Sequence, residues 1–373
     1  MEALQKAAAV RGIRLPLNLG LNDGTYMPQA CVDVLQRHNN RLSLRNYTTA
    51  NNDPLREAIA QVDGVTAEHV FLRNGSGPIL KQVIPHVIKA AIKSSPRRMA
   101  RHLMSKNGFP IITPSFTYSK VPAKASALGL TVHLLPLGPE TGWKFDVGLL
   151  EQRLREQDSL VYIANPNNPT GSVLVNRDQI VPLLKRFPKS IFWIDEAYVQ
   201  YVDESHRRFS DLVAKFDNLV VGRTFSFAYG LAGVRIGYML APPKLVREMS
   251  AQLTDYRLGS LQEELAIAAI QDPDHLPWLR EECARERGFL LDGLSQFAGV
   301  EAWDTQVNFV FARFTDGRTG AELKRRMSER SIGVKCFEPF AGMTYEPYFR
   351  ITLGTREENA FFLEQMAEVL KLF

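Results

Sequence analysis

Seven short apolar runs between residues 68 and 240 constrain the fold of this chain most strongly. Stretches with helical periodicity separate these runs, and each run is rich in β-branched and aromatic residues. Runs of this length that are apolar on both faces are typical of strands covered on both sides. The sequence therefore predicts an α/β large domain with a mostly parallel seven-stranded sheet and helices on both faces. The runs are His69–Leu72, Pro110–Ile112, Thr131–Leu134, Leu160–Ile163, Ile191–Ile194, Leu219–Val221 and Gly237–Leu240.

The pattern changes after residue 242, where long helical segments come first and a few strands follow. This order predicts a separate, smaller α+β domain at the C-terminal end, completed by the N-terminal segment. We expect residues 1–45 to join the small domain, residues 46–245 to form the large domain, and residues 246–373 to hold linking helices and the small domain. The expected helices span roughly 243–256, 260–271, 275–296 and 319–330, and the expected strands are Val307–Phe311 and Phe349–Thr352.

Composition and charge argue against several classes of protein. With 45% hydrophobic residues and a net charge of +5, the chain can bury a core and gives no reason to expect nucleic acid as a partner. Cys31, Cys283 and Cys336 are far apart and the seven histidines form no cluster, so we expect a reducing compartment and no metal site. No run is long and apolar enough for a signal peptide or a membrane span, so we expect a cytoplasmic protein.

Two polar segments directly follow apolar runs in the large domain. Asn165–Gly171 holds two prolines and a glycine, which end a strand in a fixed turn at the edge of the sheet where open α/β sheets bind ligands. Asp195–Tyr198 follows the next run, and an acid there is costly to bury without a cation or a hydrogen-bond donor. A protonated ring nitrogen would supply both. A plain turn and a surface carboxylate remain open as alternatives.

Two further segments have the composition of phosphate-binding loops. Gly222–Tyr238 contains glycines, hydroxyl groups and the two arginines Arg223 and Arg235 at the end of a strand. Arg73–Pro78 places Gly-Ser-Gly at the start of a long helix, where free N–H groups and the helix dipole favour an anion. Two such loops at one edge of a sheet support each other.

These four segments, in this order, resemble the class I/II aminotransferases and most closely their histidinol-phosphate aminotransferase branch. The motifs that carry the resemblance are N-N-P-T-G, D-E-A-Y and S-F-A-Y-G-L-A-G-V-R-I-G-Y, and the likeness extends from Asn22 to Arg350–Glu358. The resemblance implies the fold-type I architecture of the transferases that use pyridoxal 5'-phosphate (PLP).

The resemblance also implies a role for individual residues in binding the cofactor. Asp195 would keep the pyridine nitrogen of PLP protonated, and Asn168 and Tyr198 would hydrogen-bond its 3-hydroxyl group. Phe116 would stack on the ring, with Tyr118 as a second candidate. The phosphate group would lie among Gly75, Ser76, Thr224, Ser226 and Arg235.

Other matched positions concern the substrate and the quaternary structure. Asn22 and Arg350 would contact the substrate, because an arginine at the latter position grips a carboxylate in this family. Tyr47 matches the tyrosine that reaches the phosphate of the neighbouring subunit, which implies a homodimer with shared active sites.

One position departs from the family pattern. The resemblance places the Schiff-base lysine between Ser226 and Ala228, where this chain has Phe227. A phenyl ring has no nitrogen for a covalent bond to the cofactor and no ionisable group, so ordinary turnover through this position is impossible. Tyr198 and Asp195 are then the remaining catalytic candidates. The lysines weighed as replacements, which lie outside this loop, are Lys81, Lys215 and Lys244.

Three hypotheses follow from this departure. The chain is an enzyme that holds PLP or pyridoxamine 5'-phosphate (PMP) noncovalently and acts on an amino acid or amine, or it is an inactive homologue that serves as a binding or partner subunit. In the third hypothesis it is a Lys-to-Phe variant of an ordinary aminotransferase. Gly77–Pro78, and the lack of an arginine near Phe337, weaken the case for histidinol phosphate as the substrate. The basic segment Lys93–His102 is either a solvated insertion or a site for an anion or partner.

Overall fold

The structure is a computed structural model, and it describes residues 2–37, 48–49, 51–202, 208–253, 258–337 and 345–372. The helices within these ranges are α1 Glu2–Val10, α2 Gln29–Arg37, α3 Asp53–Asp63, α4 Ser76–Lys93, α5 Pro96–Ser105, α6 Lys120–Ala127, α7 Val147–Glu156, α8 Arg177–Arg186, α9 Pro243–Ser250, α10 Ser260–Gln271, α11 His275–Ser295, α12 Gly320–Glu329 and α13 Arg356–Leu370. The strands are β1 Leu17–Asn18, β2 Val70–Arg73, β3 Ile111–Pro114, β4 Val132–Leu135, β5 Leu160–Ala164, β6 Ile191–Asp195, β7 Leu219–Thr224, β8 Gly237–Leu240, β9 Val300–Trp303, β10 Phe309–Phe314, β11 Ile332–Gly333, β12 Lys335–Cys336 and β13 Tyr348–Thr352.

The large sheet has seven strands in the order β2-β8-β7-β6-β5-β3-β4. All neighbours pair in parallel except β8, which runs antiparallel to both β2 and β7. Each of the seven apolar runs overlaps one of these strands, so the prediction of a mostly parallel sheet is confirmed. The register places Ala164 beside Asp195 and Asp195 beside Gly222, which aligns the carboxyl ends of the three central strands.

The large sheet is covered because its strands are apolar on both faces. Every residue of β5 is buried, and so is most of β6. Tyr162 and Trp193 from these strands lie in one buried cluster with the apolar face of α4, including Val83 and Val87. Burial of side chains of this size is the main contribution to stability that the sequence pattern predicts.

The basic segment Lys93–His102 is largely helical, because most of α5 lies within it. Ser95 caps α5 by accepting a hydrogen bond from the Arg98 backbone at 3.4 Å, and Pro96 occupies the first helical position. Arg98 folds back onto Asp158 at 2.6 Å, so part of the basic charge is paired.

A second sheet lies in the C-terminal part, in the order β12-β13-β10-β9, with all its pairs antiparallel. The strands β1 and β11 form a separate parallel pair. The chain forms two compact units, one of Met1–Tyr26, Pro169–Gly171 and Pro277–Phe373, and the other of Met27–Asn168 and Ser172–Leu276. The domain limits drawn from the sequence stay a prediction. Among the described residues, no helix has the length and apolar character that crossing a membrane requires.

Candidate active site

Asp195 lies at the carboxyl end of β6 in the middle of the large sheet. Its side chain is buried, and it accepts hydrogen bonds from the Tyr162 hydroxyl at 2.8 Å and from the Ala197 backbone at 3.2 Å. Burial raises the pKa of this carboxyl group to about 6, although both hydrogen bonds oppose that rise. Asp195 is therefore a buried acid at the end of a strand, and its role toward the cofactor stays a prediction.

The raised pKa has a consequence for stability. A carboxyl group with a higher pKa in the folded state than in the unfolded state weakens folding as the pH rises through the range between the two values. For Asp195 that range runs from the usual 3.8 to about 6. A cationic partner beside Asp195 would remove this cost, and a protonated pyridine nitrogen is such a partner.

Tyr198 contacts two other residues that are expected near the cofactor ring, Asn168 and Phe227. Its hydroxyl group accepts a hydrogen bond from the Asn168 side-chain amide at 3.3 Å. The ring of Phe227 stacks on the Tyr198 ring with centroids 4.5 Å apart and planes at 4°. The structure thus brings Asn168, Tyr198 and Phe227 together, and their roles toward the cofactor stay predictions.

The asparagines of the N-P-N-N segment have different tasks. The Asn165 side chain binds the backbone of Leu174 and Val175 at 2.8 to 3.2 Å and so closes the turn. The Asn167 amide donates to the Phe116 carbonyl at 2.9 Å and therefore fixes the loop that carries the predicted stacking residue. Asn168 is the asparagine of this segment that reaches Tyr198.

The expected phosphate residues meet where β2 and β7 end and the antiparallel β8 begins. Gly237 pairs with Arg73 on one side and with Thr224 on the other. The Thr224 hydroxyl donates to the Ser226 hydroxyl at 2.9 Å and accepts from the Ser226 backbone at 3.1 Å. This geometry places the hydroxyl groups of Thr224 and Ser226 together at the sheet edge, where hydroxyl groups are suited to an anion.

Glycines allow the backbone segments to approach closely at this edge of the sheet. We call the group of expected phosphate residues there, Gly75, Ser76, Thr224, Ser226 and Arg235, the cradle. A Cβ atom on Gly75 would lie 2.5 Å from the Arg235 guanidinium, and Gly75 has a φ of +98° that favours glycine. A Cβ atom on Gly237 would collide with the backbone of Gly75 and Ser76. Arg235, Gly75 and Ser76 are therefore neighbours, and their part in binding a phosphate stays a prediction.

We expect Gly237→Ala to destabilise the protein by about 1–3 kcal/mol, because the added methyl group must displace the backbone at Ser76. Urea unfolding monitored by circular dichroism measures this change. Gly233→Ala is the matched control, since Gly233 lies in the same segment and has nothing within 4 Å of the position of a Cβ atom. Equal stability losses in the two variants would contradict the predicted backbone collision.

Arg223, the first arginine of the segment Gly222–Tyr238, has a structural task that the sequence did not reveal. Its guanidinium contacts Glu196 at 2.6 Å and also pairs with Asp63, and all three side chains are buried. Tyr238 donates to the other Asp63 oxygen at 3.1 Å. Since successive strand residues point to opposite faces, Arg223 and Thr224 cannot both face the cradle. Only the acidic partners Asp63 and Glu196, on the face of the sheet opposite Thr224, distinguish Arg223 from Arg235.

The expected substrate residues lie in the smaller compact unit. Arg350 is buried in β13, donates to the Gly20 carbonyl at 2.9 Å and lies over the Phe309 ring at 5.0 Å. The Asn22 backbone donates to the Thr352 hydroxyl, which donates to the Asn22 side chain, both at 3.0 Å. Their roles stay predictions. Tyr47 lies outside the described residues.

The donor set around Asp195 fits PLP. A buried acid lacks a cationic partner among the described side chains, an amide and a phenol are joined beside it, and a glycine-lined cradle holds an arginine and two hydroxyl groups. These groups match the nitrogen, the 3-hydroxyl and the phosphate of the cofactor in chemistry.

Comparison with known proteins agrees with this reading. A family model described as aminotransferase class I and II matches residues 15–366. The histidinol-phosphate aminotransferase 1 of Methylococcus capsulatus is 31% identical over 357 residues, which is 95% of this chain and 91% of the relative. The histidinol-phosphate aminotransferase of Moorella thermoacetica is 28% identical over 376 residues, covering 99% and 89% of the two chains.

A solved structure has the same fold at low sequence identity. The histidinol-phosphate aminotransferase of Sinorhizobium meliloti, in complex with pyridoxal-5'-phosphate, superposes with a TM-score of 0.78 at 22% identity, covering 100% of this chain and 94% of that one. The expected fold-type I architecture is confirmed. With its matched family model, its sheet topology and its relatives in agreement, this chain belongs to the class I and II aminotransferase family.

Proposed function

We propose that this chain is an aminotransferase-like protein that holds PLP or PMP noncovalently and acts on an amino acid or related amine. One observation carries the proposal. Asn168, Tyr198 and Asp195 keep the polar arrangement that a pyridine cofactor needs, whereas Phe227 beside them offers no nitrogen for a covalent bond.

The residues that would hold the cofactor divide into two groups. Asp195 would pair with the ring nitrogen, Asn168 and Tyr198 with the 3-hydroxyl group, and Phe116 would cover the ring. Phe116 is itself buried and packs edge-on against Trp143, with centroids 5.4 Å apart, which restricts its movement. The phosphate would lie among Gly75, Ser76, Thr224, Ser226 and Arg235, with Tyr47 of a second subunit as a further contact.

The cofactor, when bound, would supply an electron sink for bonds at the substrate amine carbon. Without a lysine, proton transfer falls to Tyr198, Tyr118 or water. Burial raises the pKa of Tyr118 to about 12, so this phenol stays protonated at neutral pH and is suited to donate a proton rather than to accept one. Phe227 would exclude water from one side of Tyr198 by covering its ring.

The substrate class follows from Arg350 and Asn22. A buried arginine suits an amino acid carboxylate through a bidentate pair. The relatives are named histidinol-phosphate aminotransferases, but Gly77–Pro78 and the absence of an arginine near Phe337 argue against the same substrate. We infer a homodimer from Tyr47, and a cytoplasmic location from the free cysteines Cys31, Cys283 and Cys336.

A second function is favoured by the stacked Phe227 ring. A phenyl group that is parallel to Tyr198 at 4.5 Å occupies space beside the predicted ring site. In that case the chain is a catalytically inactive homologue that serves as a binding or partner subunit. A Lys-to-Phe variant of an ordinary aminotransferase would share this stacking.

Titration of the purified protein with PLP and separately with PMP, followed by absorbance, tests the proposal. We expect saturable binding of at least one cofactor and a shifted band when a reactive amino acid is added. Asp195→Asn should weaken binding roughly 10- to 100-fold, because it replaces a charged hydrogen bond by a neutral one. Absence of saturable binding for both cofactors would refute the proposal and leave the partner-subunit role.

A further inference from the structure

The hydroxyl group of Tyr162 is buried below the candidate cofactor site and has no task in the mechanism above. Tyr162 lies in β5 and is 0% exposed. Its hydroxyl donates to Asp195 Oδ2 at 2.8 Å. Tyr162 and Ala164 point to the same face of the sheet because they are two positions apart in β5. Ala164 is the register partner of Asp195, so Asp195 also points to this face.

We propose that Tyr162 is a positioning residue. By donating to Asp195 it holds this carboxyl group ionised and in one orientation, so that Asp195 can pair with the protonated ring nitrogen of the cofactor. This inference rests on the proposed function. It assigns to this chain a residue outside the cofactor-binding motifs that controls the charge of the acid in the site.

The geometry divides the two oxygens of Asp195 between different donors. Oδ2 accepts from Tyr162, and Oδ1 accepts from the Ala197 backbone at 3.2 Å. A carboxylate has about four acceptor positions, so both oxygens retain a lone pair for a further donor. Two fixed donors on a buried group leave it little rotational freedom, and a preorganised acceptor is what recognition of one N–H group requires.

The other titratable groups near this pair cannot replace the tyrosine. Glu196 repels Asp195 and is an acceptor that is already paired with Arg223 at 2.6 Å, so it cannot act as a donor to Asp195. Tyr118 interacts with both members of the pair and Tyr198 with Tyr162. Among the described side chains, Tyr162 is the hydrogen-bond donor to Asp195.

The tyrosine also stays a donor over the whole useful pH range. Burial and the neighbouring Asp195 raise the pKa of Tyr162 well above its usual value. The phenol therefore keeps its proton while Asp195 loses its own at a pH of about 6. A neutral, permanent donor stabilises the charged form of the acid and not the protonated form.

Titration of the cofactor-free protein tests the proposal without requiring that PLP binds. Infrared difference spectra between about pH 4 and 9 would report the protonated carboxyl band, which Asp195→Asn assigns by its loss. We expect Tyr162→Phe to move this titration upward by roughly one to two pH units, because it removes one hydrogen bond to the charged form. An unchanged Asp195 titration in Tyr162→Phe would overturn the positioning role.

Tyr238→Phe is the matched control. Tyr238 is also a buried tyrosine of the same sheet whose hydroxyl donates to a buried acid, Asp63, at 3.1 Å. It should leave the titration of Asp195 in place. An equal shift in both variants would show a general effect of lost hydroxyl groups and would also overturn the proposal.

A second measurement separates this inference from the proposed function. If PLP binds the parent protein, its affinity for Tyr162→Phe at pH 7 should fall roughly 2- to 10-fold, in proportion to the ionised fraction of Asp195, and recover at higher pH. Absence of binding of both PLP and PMP by the parent protein refutes the proposed function alone, since the infrared titration still decides whether Tyr162 sets the charge of Asp195. If Tyr162→Phe fails to fold, Asp195→Asn takes its place in the PLP titration. This variant should bind PLP more weakly than the parent protein and should lose the change in PLP affinity near pH 6. A change in affinity that persists in Asp195→Asn would refute the role of the pair.

Discussion

Replacing Phe227 by lysine is expected to convert reversible binding of PLP into a covalent bond and to raise transamination roughly 10²- to 10⁴-fold. The gain has two physical sources. The amine supplies the nitrogen that a phenyl ring lacks, and it supplies the general acid and base that such reactions use. Phe227 is half-buried and stacks on Tyr198, so its replacement by a long, flexible side chain leaves no large cavity.

The measurement combines borohydride reduction with peptide mass spectrometry. A label on the peptide around position 227 would show that this position faces the cofactor carbonyl group. Phe227→Met is the matched control, because methionine has a similar length and flexibility but no amine. If Phe227→Lys binds PLP no more firmly than Phe227→Met, position 227 is not the lysine position of this family.

Replacing Arg223 by methionine is expected to lower the free energy of unfolding by about 3–5 kcal/mol. The change leaves two buried carboxylates, Asp63 and Glu196, without the cation that lies between them. Both carboxylates have 0% side-chain exposure, so water cannot replace the guanidinium. For a domain with a typical stability of about 5–15 kcal/mol, this loss is a large fraction of the total.

Urea unfolding at several pH values measures the effect and its sign. Burial already raises the pKa of Glu196, and Arg223 opposes that rise, so removal of Arg223 should raise this pKa further. The loss of stability should then be smaller at acidic pH, where the carboxyl groups become protonated. Arg325→Met is the control, because the ion pairs of Arg325 on α12 are exposed and such pairs contribute about 1 kcal/mol or less. A loss for Arg223→Met that is as small as that of the control would contradict the buried network.

The strands of the large sheet could be predicted from the sequence because their apolar character is a local property. Each run from His69–Leu72 to Gly237–Leu240 overlaps a strand, since two-sided burial leaves a signal in the residues themselves. The predicted run before Asp195 ends one residue short of the end of β6, whereas β7 continues three residues beyond the predicted end at Val221, as far as Thr224.

Contacts across the sheet could not be predicted in the same way. The sequence treats Arg223 and Arg235 alike, but only the register and the distant Asp63 reveal that the first is a buried ion-pair residue. Tyr162 read as one more apolar strand residue, although its hydroxyl group meets Asp195. Helix α5 was hidden by its basic composition, because the cap at Ser95 is a weak local signal and the partner of Arg98, Asp158, is distant in sequence.

The pairing of β2 with the distant strand β8 has a consequence for the order in which the protein folds. Val70 pairs with Leu240, which makes this pairing one of the most distant in sequence within the large sheet. Because closing long loops is slow and costs chain entropy, β2 should join β8 late in folding. The cradle proposed to bind the phosphate group forms only at that step, since Gly75 and Ser76 follow β2 and Arg235 precedes β8. A nascent chain that ends before β8 therefore lacks the cradle. Formation of the cradle would then report that the large sheet is complete.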